Sequence, residues 1–386
     1  MGLSLGWYAY PWNLHDPVHD LARMQGGGMM HLTVATSYHA GKFIQPRDPV
    51  ARVYFPEDGT VYFRSRGRVS HGTLKPQMAA VTGARDVLGE LCAAGTMPIR
   101  AWTVLNHNSR LGLMHPDCTV RNAWGDAYIY SLCPAHPLVR DHAVALCADI
   151  ADSLDVESLL LETPGWLTYA HGYHHEFAQS TLPEAAEELL GLCFCDHCRV
   201  GARAAGIDAD ALRLQARAAI DAALAGGEAA VDADLLAAFH AWRCGIVTAL
   251  CAEIRAAVRT AVTVRVISTC QRPHATTYRE GGDLRALNAV TDGLELPLYQ
   301  GSAADAAADL RHVLDLLAGQ GPAPRVILRP GLPDMGSEAQ LVETVAAVRA
   351  QGIDDISFYN FGLLPAPQIG WVDRLVRTLR EGGANG

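Results

Sequence analysis

The sequence predicts one α/β domain over residues 1–386, a (β/α)8 TIM barrel with insertions after strands 2 and 4. Eight short apolar runs with strand character alternate with segments whose apolar residues recur at helical spacing. Strand–helix alternation repeated eight times favours a closed barrel of parallel strands. An open doubly wound sheet is the alternative, and the lack of a Gly-rich phosphate loop after the first strand disfavours it.

The predicted elements follow one another along the chain. The strands are residues 3–10, 30–37, 98–105, 158–162, 263–268, 293–299, 325–329 and 355–360. The helices are residues 83–94, 137–154, 305–318, 337–351 and 370–381. Three helices end at a glycine (Gly95, Gly319 and Gly352), the residue that helix C-termini prefer.

Two long segments interrupt the repeat. Residues 42–80 follow the second strand and hold two aromatic runs, residues 53–55 and 61–63, on either side of Glu57-Asp58-Gly59, which predicts a β-hairpin. Residues 163–240 follow the fourth strand and hold a cysteine triplet and two or three helices. Both insertions follow strands, so both are expected on the C-terminal face, where barrel active sites lie.

Composition narrows the classes of partner. The chain is 49% hydrophobic and 19% charged, as in globular proteins, and its formal net charge of -10 argues against nucleic acid or anionic membrane. Its first residues lack a basic segment followed by an apolar one, and no run of about 20 apolar residues occurs, so we expect a cytoplasmic protein with no membrane span. A homo-oligomer is compatible with this composition.

The spacing of four cysteines predicts a structural zinc site. Cys193, Cys195 and Cys198 form a C-x-C-x-x-C motif, and Cys133 lies upstream in Cys-Pro-Ala-His-Pro. Three sulfurs from one tight turn and a fourth thiolate can complete a tetrahedral Zn²⁺ site. Four protein ligands leave no open position for a substrate. In a cytosolic protein, metal ligation and buried thiols are also favoured over disulfides.

The residues at the ends of the predicted strands are candidates for a substrate site. They are rich in aromatic, amide and histidine side chains, which can stack on sugar rings and bond to hydroxyl groups. A ligand with many hydroxyl groups is therefore expected, although such residues could instead only close loops over the barrel. The substrate-binding candidates are Trp7, Tyr8, His39, Asn106, His107, Trp166, His171, His274, Tyr299, Arg329, Tyr359 and Asn360.

Two carboxylates are the catalytic candidates. Glu162 ends the apolar run Leu159-Leu160-Leu161, where an ionised carboxylate is costly without a partner or a task. Partial desolvation would raise its pKa, which suits a general acid. Glu295 alternates with Leu294 and Leu296, so it can point into the barrel as the second carboxylate. The alternatives are a rim ion pair for Glu162 and an interior pair with Arg329 for Glu295.

Histidines could also bind a second, catalytic metal. His39, His107 and His274 follow three different strands, and His171, His174 and His175 lie in one loop. None of these sets has a diagnostic ligand spacing, so hydrogen bonding to a substrate or to loop backbone is the favoured interpretation.

The cysteine motifs and Glu162 resemble family 42 of the glycoside hydrolases, the zinc-containing β-galactosidases. In that family a Cys-Pro-x-x-Pro segment and a later C-x-C-x-x-C hold zinc, as Cys133 and the triplet would here. The family's acid/base glutamate ends strand four, which implies that role for Glu162. Its nucleophile ends strand seven, where this chain reads Val326-Ile327-Leu328-Arg329. The resemblance therefore implies the zinc and the acid but not the retaining mechanism.

Three functions remain open from the sequence. The first is a divergent glycoside hydrolase that uses Glu162 as general acid/base and Glu295, or less favourably Asp334, as the second carboxylate. The second is a metal-assisted sugar or cyclitol lyase or isomerase. The third is a non-catalytic sugar-binding barrel.

Overall fold

The computed structural model describes residues 2–171, 181–270 and 274–383, with the side chains of 274–276 and 382–383 left out. Eight parallel strands form a closed barrel in which each strand pairs with its sequence neighbours and the last pairs with the first. We name them β1 to β8: Ser4–Ala9, His31–Tyr38, Ile99–Val104, Ser158–Glu162, Thr263–Ile267, Leu294–Pro297, Arg325–Leu328 and Asp355–Phe358. The predicted fold class is confirmed.

Eight helices connect or follow these strands. We name them α1 to α8: Pro17–Gly26, Val87–Ala94, Pro137–Ser153, Ala233–Ala257, Leu284–Val290, Ala303–Leu317, Glu338–Arg349 and Ala366–Gly383. Several begin at an Asp or Ser whose side chain accepts a hydrogen bond from the first turn, such as Asp283 from Ala286 N and Ser302 from Asp305 N. The helix predicted at 83–94 divides into Ala80–Ala84 and α2, because Asp86 caps a new helix by accepting from Gly89 N.

The hairpin predicted in residues 42–80 is wrong in its pairing. Phe43–Ile44 pairs with Val53–Tyr54, whereas Thr60–Val61 pairs antiparallel with the end of β2 and parallel with Gln77–Met78. The physical reason is burial. Val61, Tyr62 and Phe63 are buried against the barrel, while Phe55 of the first run is 66% exposed. The second run therefore pairs with Ser37 and Tyr38, the end of β2 that extends past its pairing with β1.

A further excursion, not predicted, follows β3. It contains the helix Ser109–Met114, the 3-10 turn Pro116–Cys118 and an antiparallel pair of strands, Thr119–Arg121 and Ala127–Leu132. Cys133 follows the second of these strands directly. This excursion therefore brings the isolated cysteine to the segment after β4.

The segment after β4 holds the helices Glu184–Leu190, Asp196–Ala204 and Ala209–Leu224. Together with the first part of α4 they form a small apolar core that includes Leu189, Leu212 and, from α4, Phe239. The predicted boundary at residue 240 falls inside α4. Within the described residues, α4 is the one helix long and apolar enough by length and composition to cross a membrane, and its residues Val247, Leu250 and Ile254 pack into the main core.

Candidate active site

A cavity of about 320 Å³ opens at the carboxyl ends of the barrel strands. Two glutamates, Glu162 and Glu280, line it together with aromatic side chains from several strands and loops. The aromatic residues in its wall are Tyr8, Tyr38, Trp102, Trp166, Tyr299 and Tyr359. The wall is therefore apolar over much of its area, with a few polar groups that converge on one space, as is typical of a small-molecule site.

Glu162 is the last residue of β4 and lies opposite Val104, the last residue of β3. This register places its carboxylate at the cavity and not in the barrel interior. The indole N–H of Trp102 donates a hydrogen bond to Glu162 Oε2. Burial raises the pKa of Glu162 to about 7, against the lowering effect of the Trp102 bond. The carboxyl group can therefore hold or release a proton near neutral pH.

The turn after Glu162 is held in an unusual conformation. Thr163 has φ of 53°, in the left-handed region that a β-branched residue rarely adopts. Asn106 braces this turn: its backbone N–H donates to Thr163 O at 3.1 Å, and its amide nitrogen donates to Pro164 O at 2.7 Å. Asn106 is fully buried and does not line the cavity, so it positions the turn that follows Glu162 and is not placed to contact a ligand there.

Glu280 is the second carboxyl group in the cavity. It ends the 3-10 helix His274–Glu280 after β5, and its Oε2 accepts a hydrogen bond from Thr269 Oγ1 at 2.9 Å. Its carbonyl accepts from Trp166 N at 3.0 Å, which ties it to the segment after β4. Burial raises the pKa of Glu280 to about 7, the Thr269 bond opposes this, and the charge of Glu162 raises it further. The charge of Glu162 therefore favours a protonated Glu280.

Glu295 lies deeper in the barrel. It points inward as strand alternation predicts, but its partner in register is Arg325, the first residue of β7. Tyr8 Oη donates to Glu295 Oε1 at 2.6 Å, and Glu295 is fully buried and does not line the cavity. Burial raises the pKa of Glu295, while the charges of Arg100 and Arg325 oppose that rise. The structure therefore separates Glu295 from Glu162.

A layer of ion pairs lies at the same depth as Glu295. Arg100 makes a two-fold contact with Asp355, with both N–O distances 2.8 Å, and contacts Glu157 at 2.6 Å. Arg325 Nε lies 3.1 Å from Asp355. The buried guanidinium of Arg100 is therefore compensated by two carboxylates, Asp355 and Glu157, that are themselves 25% and 39% exposed.

Hydrogen-bonded tyrosines form one side of the cavity. The hydroxyl of buried Tyr10 lies 3.0 Å from Tyr38 Oη and 2.7 Å from Tyr359 Oη, so it fixes two cavity-lining rings. Arg329 makes a two-fold ion pair with Asp334, at 2.6 and 2.8 Å, and its guanidinium lies 4.5 Å from the Tyr299 ring centroid. Asp334 is therefore the ion partner of Arg329, and it does not line the cavity.

The structure brings part of the predicted site together. The predicted residues that line the cavity are Tyr8, Glu162, Trp166, His171, Tyr299, Arg329 and Tyr359. Trp7 does not, because alternation along β1 turns it away from Tyr8; its ring packs against Phe358 and Phe361, with centroids 5.6 and 5.8 Å apart. Asn360 is buried in the turn after β8, where its Oδ1 accepts from Gly362 N. His174, His175 and the side chain of His274 lie outside the described residues.

Three predicted histidines cluster beside the cavity. The rings of His39 and His107 stack with centroids 4.0 Å apart, and His171 Nε2 lies 3.3 Å from His107 Nδ1. Burial lowers the pKa of His39 to about 4 and that of His107 to about 2. Among the described residues, however, the one group of His, Cys, Asp or Glu with ligand atoms close enough to share an ion is the cysteine group.

The four cysteines converge as the motif predicts. The Sγ atoms of Cys133, Cys193, Cys195 and Cys198 all lie within 4.8 Å of one another, and Cys133 Sγ is 3.4, 3.6 and 3.8 Å from the sulfurs of Cys198, Cys195 and Cys193. A tetrahedron of Zn–S bonds of about 2.3 Å places sulfurs slightly less than 4 Å apart, so the donor set fits Zn²⁺. The backbone N–H of Arg121 also points at Cys193 Sγ, at 3.5 Å. This is the outer contact expected around a thiolate ligand.

Sequence reasoning missed Trp102, Glu280 and Thr269 as site residues. Trp102 could have been predicted from strand alternation. It lies two residues after Arg100 and two before Val104, so the three side chains share the inward face of β3. Glu280 and Thr269 lie in the segment after β5, whose course no local pattern specifies. The available signal was only their position after a strand, on the face where barrel sites occur.

Comparison with known proteins supports the fold. No protein-family profile matches the sequence, and no curated protein matches it either. The PgaB (BpsB) glycoside hydrolase domain from Bordetella bronchiseptica is similar in structure, with a TM-score of 0.60 and 14% identity over 96% of each chain. Alpha-L-fucosidase isoenzyme 2 from Paenibacillus thiaminolyticus aligns with all of this chain and 50% of its own, with a TM-score of 0.56 and 13% identity. Neither comparison supports family 42 specifically, so that resemblance remains one of residue pattern.

Proposed function

We propose that this protein is a glycoside hydrolase whose general acid and second carboxylate are Glu162 and Glu280. The observation that carries the proposal is two carboxyl groups in one aromatic-lined cavity, each with a pKa raised to about 7. Most glycoside hydrolases use one protonated and one ionised carboxyl group at the same time. The names of the two similar structures, a glycoside hydrolase domain and a fucosidase, agree with this class of reaction.

The two raised pKa values explain how the pair keeps one proton. The charge of ionised Glu162 makes ionisation of Glu280 more costly, so near pH 7 the state with a single proton is populated. Glu162 protonates the leaving-group oxygen, since it ends β4 with a donor, Trp102, on its other oxygen. Glu280 then acts as the base toward water or as the nucleophile.

The substrate class follows from the wall of the cavity. Aromatic rings provide faces for the C–H surfaces of a sugar ring, and the hydroxyls of Tyr38 and Tyr359 together with Arg329 can bond to sugar hydroxyls. Arg329 is the one arginine or lysine among the described residues that line the cavity, and Asp334 already balances its charge, so these residues offer no unpaired cation of this kind to a phosphate group. A neutral carbohydrate or glycoside is therefore the proposed ligand.

The cysteine group is proposed to hold a structural Zn²⁺. All four sulfurs are buried and none lines the cavity, so an ion there would have no contact with the substrate. Its contribution would be to link the excursion after β3 to the segment after β4, since Cys133 belongs to the first and the triplet to the second.

The proposed function is tested by incubating the purified protein with a panel of 4-nitrophenyl glycosides at pH 7 and following nitrophenol release. We expect turnover of at least one glycoside by the parent protein and a lower rate in Glu162→Gln, although an activated leaving group such as nitrophenol depends only partly on the acid. Sugar binding by calorimetry with no turnover of any glycoside would instead favour the non-catalytic barrel. Turnover that needs an added metal beyond the cysteine-bound ion would favour the lyase or isomerase.

The value of kcat/KM should fall on both sides of pH 7. Below pH 7 the pair gains a second proton and loses its base, and above pH 7 it loses its last proton and its acid. Trp102→Phe removes a donor that favours ionised Glu162, so the pKa of Glu162 rises and the alkaline limb should move up by about one pH unit. Thr269→Val raises the pKa of Glu280 and, because the limbs belong to the pair, should also move the alkaline limb up, but it should lower the maximum of kcat/KM since the single proton then sits more often on the base. A lower maximum in Trp102→Phe together with a higher one in Thr269→Val would contradict the assignment of roles.

A further inference from the structure

Glu188, on the helix Glu184–Leu190 of the segment after β4, accepts hydrogen bonds from three donors. Its Oε1 lies 2.9 Å from both His240 Nε2 and Tyr278 Oη, and its Oε2 lies 2.9 Å from a terminal nitrogen of Arg279. Its side chain is 11% exposed and does not line the candidate active-site cavity. Three donors, one of them cationic, hold this carboxylate in one place.

The same donors keep Glu188 ionised. Burial raises the pKa of Glu188, but the bonds from His240 and Tyr278 and the charge of Arg279 outweigh burial, so this pKa lies below its ordinary value. An ionised carboxylate only accepts hydrogen bonds, so His240 Nε2 carries the proton and Nδ1 is left as an acceptor. A guanidinium nitrogen of Arg243 lies 3.3 Å from this Nδ1 and can donate to it. Each of these bonds therefore has a defined donor and acceptor.

Two of the three donors belong to the residues directly before Glu280. Tyr278, Arg279 and Glu280 close the 3-10 helix His274–Glu280, so the carboxylate that holds the first two side chains also restrains the backbone of the third. Arg243, from α4, adds a bond to the same segment, because its guanidinium donates to Arg279 O at 2.9 Å. The end of this short helix is therefore fixed from the side of the insertion.

The other side of this helix end contacts the turn after β4. Trp166 N donates to Glu280 O at 3.0 Å, and Gly165 lies so close that a Cβ atom there would be 1.9 Å from the same oxygen. The Thr269 hydroxyl donates to the carboxyl group of Glu280 itself at 2.9 Å. A shift of the helix end would therefore change its contact with the turn that follows Glu162, and with it the relation between the two carboxyl groups.

We propose that Glu188 is a positioning residue for Glu280, and that the helical insertion after β4 brings this carboxylate to the segment after β5. The kinetic consequence of this proposal rests on the proposed function, whereas the anchoring of the segment does not. The insertion then has a part in the geometry of the carboxyl pair that is separate from the binding of a metal.

Glu188→Gln is the informative substitution. It keeps the side-chain volume but places an amide NH₂ group where an oxygen now accepts, so at least one of the three donors loses its partner. Tyr278→Phe is a milder second variant, because it removes one hydroxyl and leaves the carboxylate with His240 and Arg279. Glu187→Gln is the matched control, since it is the same substitution on the same helix and Glu187 takes part in none of the bonds above.

Steady-state kinetics on a 4-nitrophenyl glycoside that the parent hydrolyses give the first readout. We expect kcat to fall about 10- to 100-fold in Glu188→Gln and less in Tyr278→Phe, because a small displacement of a catalytic group has effects of that size. KM should stay within about twofold of the parent value, since Glu188 does not line the cavity. The Glu187→Gln control should match the parent. Unchanged kcat in both Glu188→Gln and Tyr278→Phe would overturn the positioning role.

A double variant tests whether the loss acts through Glu280. If Glu188 only positions that carboxyl group, Glu188→Gln should lower kcat no further in a Glu280→Gln protein, so the double variant should keep the residual kcat of the Glu280→Gln protein within about twofold. A further fall of about tenfold or more would overturn the positioning role, because the loss would then come from a general disturbance of the fold.

Backbone hydrogen exchange separates this proposal from the proposed function. The amide of Trp166 donates to Glu280 O, and that of Gly281 closes the same helix, so both should exchange at least about tenfold faster in Glu188→Gln than in Glu187→Gln. Equal protection in the two variants would overturn the anchoring contact. If the parent protein hydrolyses no glycoside, the proposed function fails, and exchange still decides whether Glu188 holds the Glu280 segment.

Discussion

Glu280→Gln is expected to lower kcat for glycoside hydrolysis by about a thousandfold, within the range that a positioned acid or base contributes. Glutamine keeps the volume of the side chain, and its amide oxygen can still accept a hydrogen bond from the Thr269 hydroxyl. It cannot ionise, so it can neither activate water nor attack a sugar carbon. KM should change little, and single-turnover kinetics should assign the loss to the chemical step and not to binding.

Glu295→Gln is the matched control for this variant. It removes the same charge from a carboxyl group that is buried beneath the cavity and accepts from Tyr8. Its glutamine can also accept from Tyr8, so we expect kcat within about tenfold of the parent. If the Glu295 variant lost activity as strongly as predicted for Glu280, and the Glu280 variant kept it, the sequence-based choice of second carboxylate would be correct and the present one wrong.

Cys195→Ser should remove bound zinc and lower the melting temperature by about 5 °C or more. Metal binding at such a site contributes directly to folding free energy, and for a chain of 386 residues each kcal/mol lost lowers the melting temperature by about 1 °C. Here the centre ties the segment after β4 to the excursion after β3, so its loss should also loosen helix Asp196–Ala204. Elemental analysis and calorimetry measure the two effects.

Cys147→Ser provides the comparison for the cysteine variant. Cys147 is a fully buried thiol of α3 outside the four-cysteine group, so the same substitution there disturbs packing without removing a metal ligand. It should keep one zinc per chain. A Cys195→Ser protein that retained its zinc and its melting temperature would contradict the metal assignment.

The barrel was predictable because its signals are local. Each strand is a short apolar run and each helix has its own periodicity and caps, so strands such as Ser158–Glu162 were placed at their observed bounds. The cysteine motif was likewise readable, because three of its four donors lie within six residues (193–198). The fourth donor, Cys133, is brought to the other three by a pair of strands after β3. These strands form through contacts that no local sequence pattern indicates.

The distances of some predicted residues from the cavity have physical causes. Strand alternation predicted correctly that Glu295 points into the barrel, but it does not predict how far along the barrel axis the side chain lies. The register partner of Glu295 is the first residue of β7, whereas Glu162 lies opposite the last residue of β3. Trp7 was chosen with Tyr8 although neighbouring residues of a strand face opposite sides. Glu280 depends on a hydrogen bond between two segments, from Trp166 N to its carbonyl, which only the folded chain brings together.

The leaving-group dependence of Glu162→Gln tests whether Glu162 is the general acid of a glycosidase. The measurement compares kcat/KM of parent and variant on a 2,4-dinitrophenyl glycoside, whose leaving group needs no proton, and on a methyl glycoside of the same sugar. If Glu162 is the acid, kcat/KM should fall less than about tenfold on the first and about 10²–10⁴-fold on the second. An equal loss on both substrates would contradict it, since Glu162 would then serve some step other than protonation of the leaving oxygen.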